Sequence, residues 1–137
     1  MSEKRHFGEV TKGWGRERIW VSNDKYCSKF LDFKTDAKFS MHFHAEKEET
    51  WYVLRGAFKV VCVNTKDSTS VIVYLYPGDT WHNPPLVPHQ LTCLREGTIL
   101  EVSTPDSIAD NYRIAPGDSQ AVAAAAAVEE DEEEPSK

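Results

Sequence analysis

The sequence predicts an all-β fold, a sandwich or barrel of short strands. Three observations predict it: runs that alternate or are rich in β-branched and aromatic residues, glycine and proline between them, and no long amphipathic helix in residues 1–118. Tyr26 to Phe33 alternates in part. Phe39 to His44 alternates clearly, with Phe39, Met41 and Phe43 on one side and Ser40, His42 and His44 on the other. Trp51–Leu54 and Ala57–Val63 flank Arg55-Gly56, which reads as a tight turn. Val71–Tyr76 is a strand of β-branched and aromatic residues. Pro77-Gly78-Asp79 is a turn. Thr80–Asn83 and Gln90–Leu94 are short strands around the Pro84-Pro85 corner, and Thr98–Ser103 is one more.

The 137 residues suit one domain with a buried core, which we place at 1–118. Residues 119–137 are expected to form a disordered tail, because five alanines at 123–127 precede the acidic run 129–134, which repels itself and has nothing to bury. Of the net charge of −6, residues 129–137 carry −5, leaving −1 on the rest. A body so close to neutral has no basic face for a phosphate backbone, so nucleic acid is not an expected partner. No apolar run approaches the roughly 20 residues of a membrane helix. The polar start MSEKRHFGEV lacks the apolar stretch of a secretory signal, so a cytoplasmic location is expected. The three cysteines, Cys27, Cys62 and Cys93, form no CxxC pair and read as buried, reduced thiols. Several strands are apolar on both faces. A barrel buries one face of each, so the N-terminal segment or a second copy in a homodimer should cover the other.

The chemistry concentrates in HFHAEKEETWYVLRG, His42 to Gly56. Residues two apart on a strand share a face, so His42 and His44 present two imidazoles side by side. Imidazole is a good ligand for first-row transition metals, and Glu49 in the next strand can add a carboxylate. A fourth donor must come from elsewhere, and His89, just past the rigid Pro84–Pro88 corner, is the candidate. Glu48 is an alternative ligand if the turn differs by one residue. Burying three imidazoles and a carboxylate is costly unless a cation compensates them. Four protein donors leave coordination positions open for water or substrate. The donors do not distinguish Mn, Fe, Co, Ni and Zn.

With this spacing, followed by Pro77-Gly78 and HNPPLVPH, the chain resembles the cupin superfamily. His42, His44, Glu49 and Gly56 match its first motif; Pro77, Gly78 and His89 match its second. The resemblance implies a jelly-roll β-barrel with these four donors on one divalent metal. Cys93 stands where the second motif often ends in asparagine. A narrower resemblance covers about residues 10–118. KGWGRE (Lys12 to Glu17), the segment KFSMHFHAEKEETWYVLRG and LEVSTPD look like the cupin domain of type II mannose-6-phosphate isomerases. There Ser40, His44, Lys47, Glu49, Trp51, Val53 and Gly56 match or nearly match the first motif, and His42 replaces the usual glutamine.

That resemblance implies a metal-dependent isomerase or epimerase of a sugar or sugar phosphate. The alternatives are a cupin that binds a sugar or small acid without turnover, and an Fe(II)-dependent dioxygenase. As catalytic acid or base we expect His82, on the same face as Thr80, and Glu101 in LEVST. Lys29 and Arg113 are the expected grips for a sugar phosphate or carboxylate. Trp51, Trp81 and Tyr52 can stack on a sugar ring, though core packing is the expected role of each.

Overall fold

In a computed structural model, residues 2–121 are described. The part of the expected tail from 122 onward lies outside them. Among the described residues, nine strands form one curled antiparallel sheet: β1 (Gly8–Lys12), β2 (Gly15–Ser22), β3 (Cys27–Phe33), β4 (Met41–Phe43), β5 (Glu49–Val63), β6 (Ser70–Leu75), β7 (Thr80–Asn83), β8 (His89–Ser103) and β9 (Tyr112–Ala115). No helix among the described residues is long and apolar enough to cross a membrane.

Two long strands, β5 and β8, pair along their whole length, from Glu49 opposite Ser103 to Cys62 opposite His89. Each runs through both halves of the barrel. In one half, β1, β2 and β3 pair on to the C-terminal part of β8, and β7 pairs with the start of β5. In the other, β9 and β4 pair on to the start of β8, and β6 pairs with the end of β5. This is the jelly-roll barrel expected.

Arg55-Gly56 is not the tight turn that the sequence suggests. It is a bulge inside β5, where the register shifts three times between Val53 and Phe58. Gly56 has φ +90°, and the facing Gly97 lies so close that a Cβ there would meet the Arg55 carbonyl oxygen at 2.1 Å. Two strands bend here instead of four strands turning, because glycines on both sides let the backbones approach. The bulge also switches which residues face inward. Glu49, Trp51 and Val53 are buried before it, and Phe58 and Val60 after it. For the same reason Gln90–Leu94 and Thr98–Ser103 are parts of the one strand β8.

Three strands were not read from the sequence. The β1–β2 hairpin extends the sheet beside β3 and plants Trp14 against Phe33, with ring centroids 4.4 Å apart. β9 pairs with β4. Residues 118–121 form a helical turn, and Ser119 Oγ accepts a bond from the Gly13 amide. The core runs from Trp14 through Phe33, Phe58 and Leu91 to Phe39 and Trp51, which reach the histidine cluster. All three cysteines are free thiols; Cys27 and Cys93 are buried and Cys62 half-buried. The outer face of the long strands stays open, with Tyr52, Leu54 and Val102 each more than two-fifths exposed.

Asp32 ties β2 to β3 and β8, accepting bonds from Arg16, Arg18 and Thr98. Burial opposes its charge, but these donors outweigh it and lower its pKa to about 2. A depressed folded pKa stabilises the fold above the unfolded value of 3.8, and that contribution is lost as pH falls through about 2. Asp32→Asn should therefore cost about 2 kcal/mol at pH 7 in urea unfolding, and its deficit should vanish near pH 2. Gly97→Ala should lower stability by about 2–3 kcal/mol in the same assay, because the strands must part to admit a methyl group.

Candidate metal centre

His42 lies in β4 opposite His89 at the start of β8, and His44 follows β4. One donor nitrogen from each imidazole falls within 4.8 Å of the other two. His89 is 1% exposed and His44 8%. Glu49 comes from the opposite half of the barrel, where it heads β5 opposite Ser103 and Asn83. Closure of the barrel brings its Oε1 to 3.2 Å from His89 Nε2.

The bonds on the far side of each ring decide what this cluster can hold. His44 Nδ1 donates to the Asp110 carbonyl at 2.6 Å, and His89 Nδ1 donates to the Val87 carbonyl at 3.0 Å. His42 Nδ1 pairs with Ser40 Oγ at 2.8 Å. A carbonyl only accepts, so His44 and His89 each carry a proton on Nδ1 and turn Nε2 toward the cluster. His89 Nε2 makes no hydrogen bond although a carboxylate oxygen stands 3.2 Å away. A buried ring nitrogen and a buried carboxylate oxygen face each other there without a hydrogen bond, an arrangement that a cation between them relieves. Burial, reinforced by His89 and His44, pushes the His42 imidazolium pKa down to about 3. Burial lowers that of His44 also, against the Asp110 bond that raises it. Both rings are thus neutral donors at pH 7. Glu49 is buried, which disfavours its charge, but His89 and Lys47 outweigh this and hold it ionised, well below the usual carboxylate range. Asn83 Nδ2 donates to its Oε1 at 3.2 Å. Neutral imidazoles and an ionised carboxylate are the forms that bind metal.

A cavity of about 910 Å³ opens above the histidines. Glu101 lies in its wall, 4% exposed, accepting from Trp51 Nε1 at 3.3 Å and Lys47 Nζ at 3.2 Å. Burial and the Glu49 charge raise its pKa to about 7, against the pull of Lys47 and Lys29. Lys29 is buried there too, with Nζ 3.3 Å from Glu17 and 3.0 Å from Asp106. Arg113 lines the cavity from β9 on an exposed strand.

His82 is not brought to this cavity. It faces outward beside Thr50 and bonds the exposed Glu48 carboxylate, because strand alternation turns Asn83 inward in its place. Glu48 therefore points away from the histidines as well. Tyr52 is on the outer face, while Trp51 is 1% exposed in the core.

Sequence reasoning missed Asp110 and Asp106 and read Lys47 only as part of a motif. Asp110 accepts the amides of Ala45, Glu46 and Lys47, which fixes the turn that aims His44. No sequence signal marks it. Asp106 and Lys47 both lie in motif segments, but their meeting depends on the fold.

The fold is that of a cupin, and three of its histidines are positioned to hold a metal ion. A family model, mannose-6-phosphate isomerase C-terminal, matches residues 1–108, and the chain belongs to that family. Among curated proteins it is similar to mannose-1-phosphate guanylyltransferase of Escherichia coli (strain K12), 27% identical over 114 residues, 80% of this chain and 24% of that protein. The Klebsiella pneumoniae protein of the same name is 25% identical over 116 residues, 81% of this chain and 24% of that one. The chain thus spans about a quarter of the length of these relatives. Similar solved structures are KdgF from Halomonas sp. (TM-score 0.60, 20% identical, 69% of this chain and 81% of that one) and oxalate decarboxylase from Bacillus subtilis (TM-score 0.65, 21% identical, 82% and 33%).

Asp110→Ala should weaken binding of Zn²⁺ or Ni²⁺ about 10- to 100-fold in a chelator competition, since it frees the His44 turn without removing a donor. Unchanged affinity would show that the turn holds itself.

Proposed function

We propose that this chain binds one divalent transition metal on His42, His44, Glu49 and His89 and uses it to isomerise or epimerise a sugar or sugar phosphate. The observation that carries this is the pairing of three pre-oriented imidazoles with an ionised carboxylate at the base of an open cavity. Its family membership and its similarity to guanylyltransferases of mannose 1-phosphate point to a sugar phosphate. A metal on these donors would supply Lewis acidity to a substrate oxygen. The remaining work falls to the chain's own residues. Glu101 Oε2 is the proton acceptor and donor for adjacent substrate carbons, because it reaches the cavity while Trp51 and Lys47 hold it in place. Lys29, with Arg113 at the rim, attracts the anionic group of the substrate. Phe39 and Trp51 keep water from the inner side of the histidines.

A second copy of this chain is the partner we assign to the open face of Tyr52, Leu54 and Val102. Analytical ultracentrifugation tests it, and a species of monomer mass at all concentrations overturns it.

For the reaction, elemental analysis should find one metal ion per chain. The loaded protein should interconvert aldose and ketose, or epimeric, hexose 6-phosphates as followed by NMR. His42→Ala/His89→Ala should abolish both metal and turnover, and turnover that survives in this variant overturns the proposal. Glu101→Gln should keep the metal and lower kcat at least about 100-fold, the usual worth of a proton-transferring group.

A further inference from the structure

Two ammonium groups lie side by side in the cavity wall, and one carboxylate bridges them. Asp106 Oδ2 is 3.0 Å from Lys29 Nζ, and Oδ1 is 3.1 Å from Lys47 Nζ. Both lysine side chains are about 5% exposed or less, whereas Asp106 is 40% exposed. The lysines are built into β3 and the β4–β5 turn, beneath Glu101 and Glu49. Asp106 reaches them from the loop between β8 and β9.

That loop is fastened at both ends and free in the middle. At one end the Thr104 amide bonds the Glu48 carbonyl, and its hydroxyl accepts the Glu48 amide. At the other, Asp110 holds the amides of residues 45–47. Between them residues 105–109 are exposed, and Ile108 is 99% exposed. The only side-chain bonds joining this middle to the body, among the described residues, are those of Asp106 to the two lysines. Asp106 is the solvent-facing member of these pairs and the lysines are the buried ones, so it is Asp106 that can exchange for water or another anion. The middle can therefore lift while the anchors, and with them the His44 turn, stay in place.

Charge agrees. Lys29 and Lys47 face Glu17, Glu49, Glu101 and Asp106. Asp106 sets one carboxylate oxygen against each ammonium, at 3.0 and 3.1 Å. Lifting Asp106 out removes that negative charge from beside two buried ammoniums, and a single incoming oxyanion restores it.

We propose that Lys29 and Lys47 form an oxyanion subsite beside the metal donors, that Asp106 is its resident occupant, and that the carboxylate or phosphate of a sugar ligand displaces Asp106. This rests on the sugar-binding function proposed above and adds a lysine pair and a built-in competitor. The competitor sets a threshold: neutral sugars cannot displace Asp106, so the site selects acidic ones.

Calorimetry on the metal-loaded full chain tests it without requiring turnover. The probes are mannose 6-phosphate, mannuronate and mannose, on the native chain and on Asp106→Asn, which keeps the shape and removes the charge. The variant should bind at least one acidic sugar on the order of tenfold more tightly, with mannose unchanged. A gain for the phosphate alone or the carboxylate alone identifies which oxyanion the subsite takes. Equal affinity in both proteins, no binding in either, or an equal gain for mannose overturns the subsite. Tightening without turnover leaves the subsite standing and fails the isomerase; turnover without tightening does the reverse.

Discussion

Two long strands bent at one place account for the position of every donor in the cluster. β5 and β8 pair across both halves of the barrel, and their shared bend at Gly56 and Gly97 folds one half over the other. His42 and His89 then sit on one wall and Glu49 on the facing wall, with 3.2 Å between His89 Nε2 and the Glu49 carboxylate. Both groups are almost fully buried, and each has spent its other bonding capacity on Val87, Asn83 or Lys47. A buried ring nitrogen opposite a carboxylate, with no hydrogen bond between them, is unfavourable for a fold without a cation. Such tension persists where it serves binding, and it separates this cluster from a set of satisfied core histidines.

Around the cluster the barrel wall is charged but largely self-compensated. Burial would strip Lys47 of its proton, but Glu101, Glu49 and Asp106 outweigh that cost and keep its pKa raised. Lys29 is held charged in the same way, with Glu101 and Glu17 the largest opposing influences. These pairs tie the β3 wall, the turn before β5 and the β8–β9 loop into one network. The charged network in the wall therefore ties the fold together, and an anionic ligand that enters must exchange for partners already there.

The strand positions were legible for β3, β4, β6 and β7, because local alternation, β-branched runs and turn residues carry them. The Arg55-Gly56 bulge was not. A glycine after a charged residue reads alike in a turn and in a bulge, and only the facing Gly97, 41 residues away, separates the two. The β1–β2 hairpin and β9 were missed because their residues are mixed in polarity and rely on a neighbouring strand. Glu101 was legible as a carboxylate on a strand, but its burial depended on Trp51 and Lys47 meeting it from β5 and the turn before it. His82 was misplaced because parity within a four-residue strand decides which side it faces, and the pairing Glu49–Asn83 turns it outward.

Donor chemistry is local, so the sequence by itself determined the class of the barrel and the kinds of group that could meet a metal: the His-x-His pair, the carboxylate after it and the histidine behind the proline corner. Distance and burial are not local. The tertiary structure alone decided which nitrogen of each ring is free, that Glu49 faces His89 across the barrel, and that Asp106 comes to rest between two lysines. The physical reason is that these contacts join residues far apart in the chain, and only closure of the sheet brings them within bonding distance and removes the water between them.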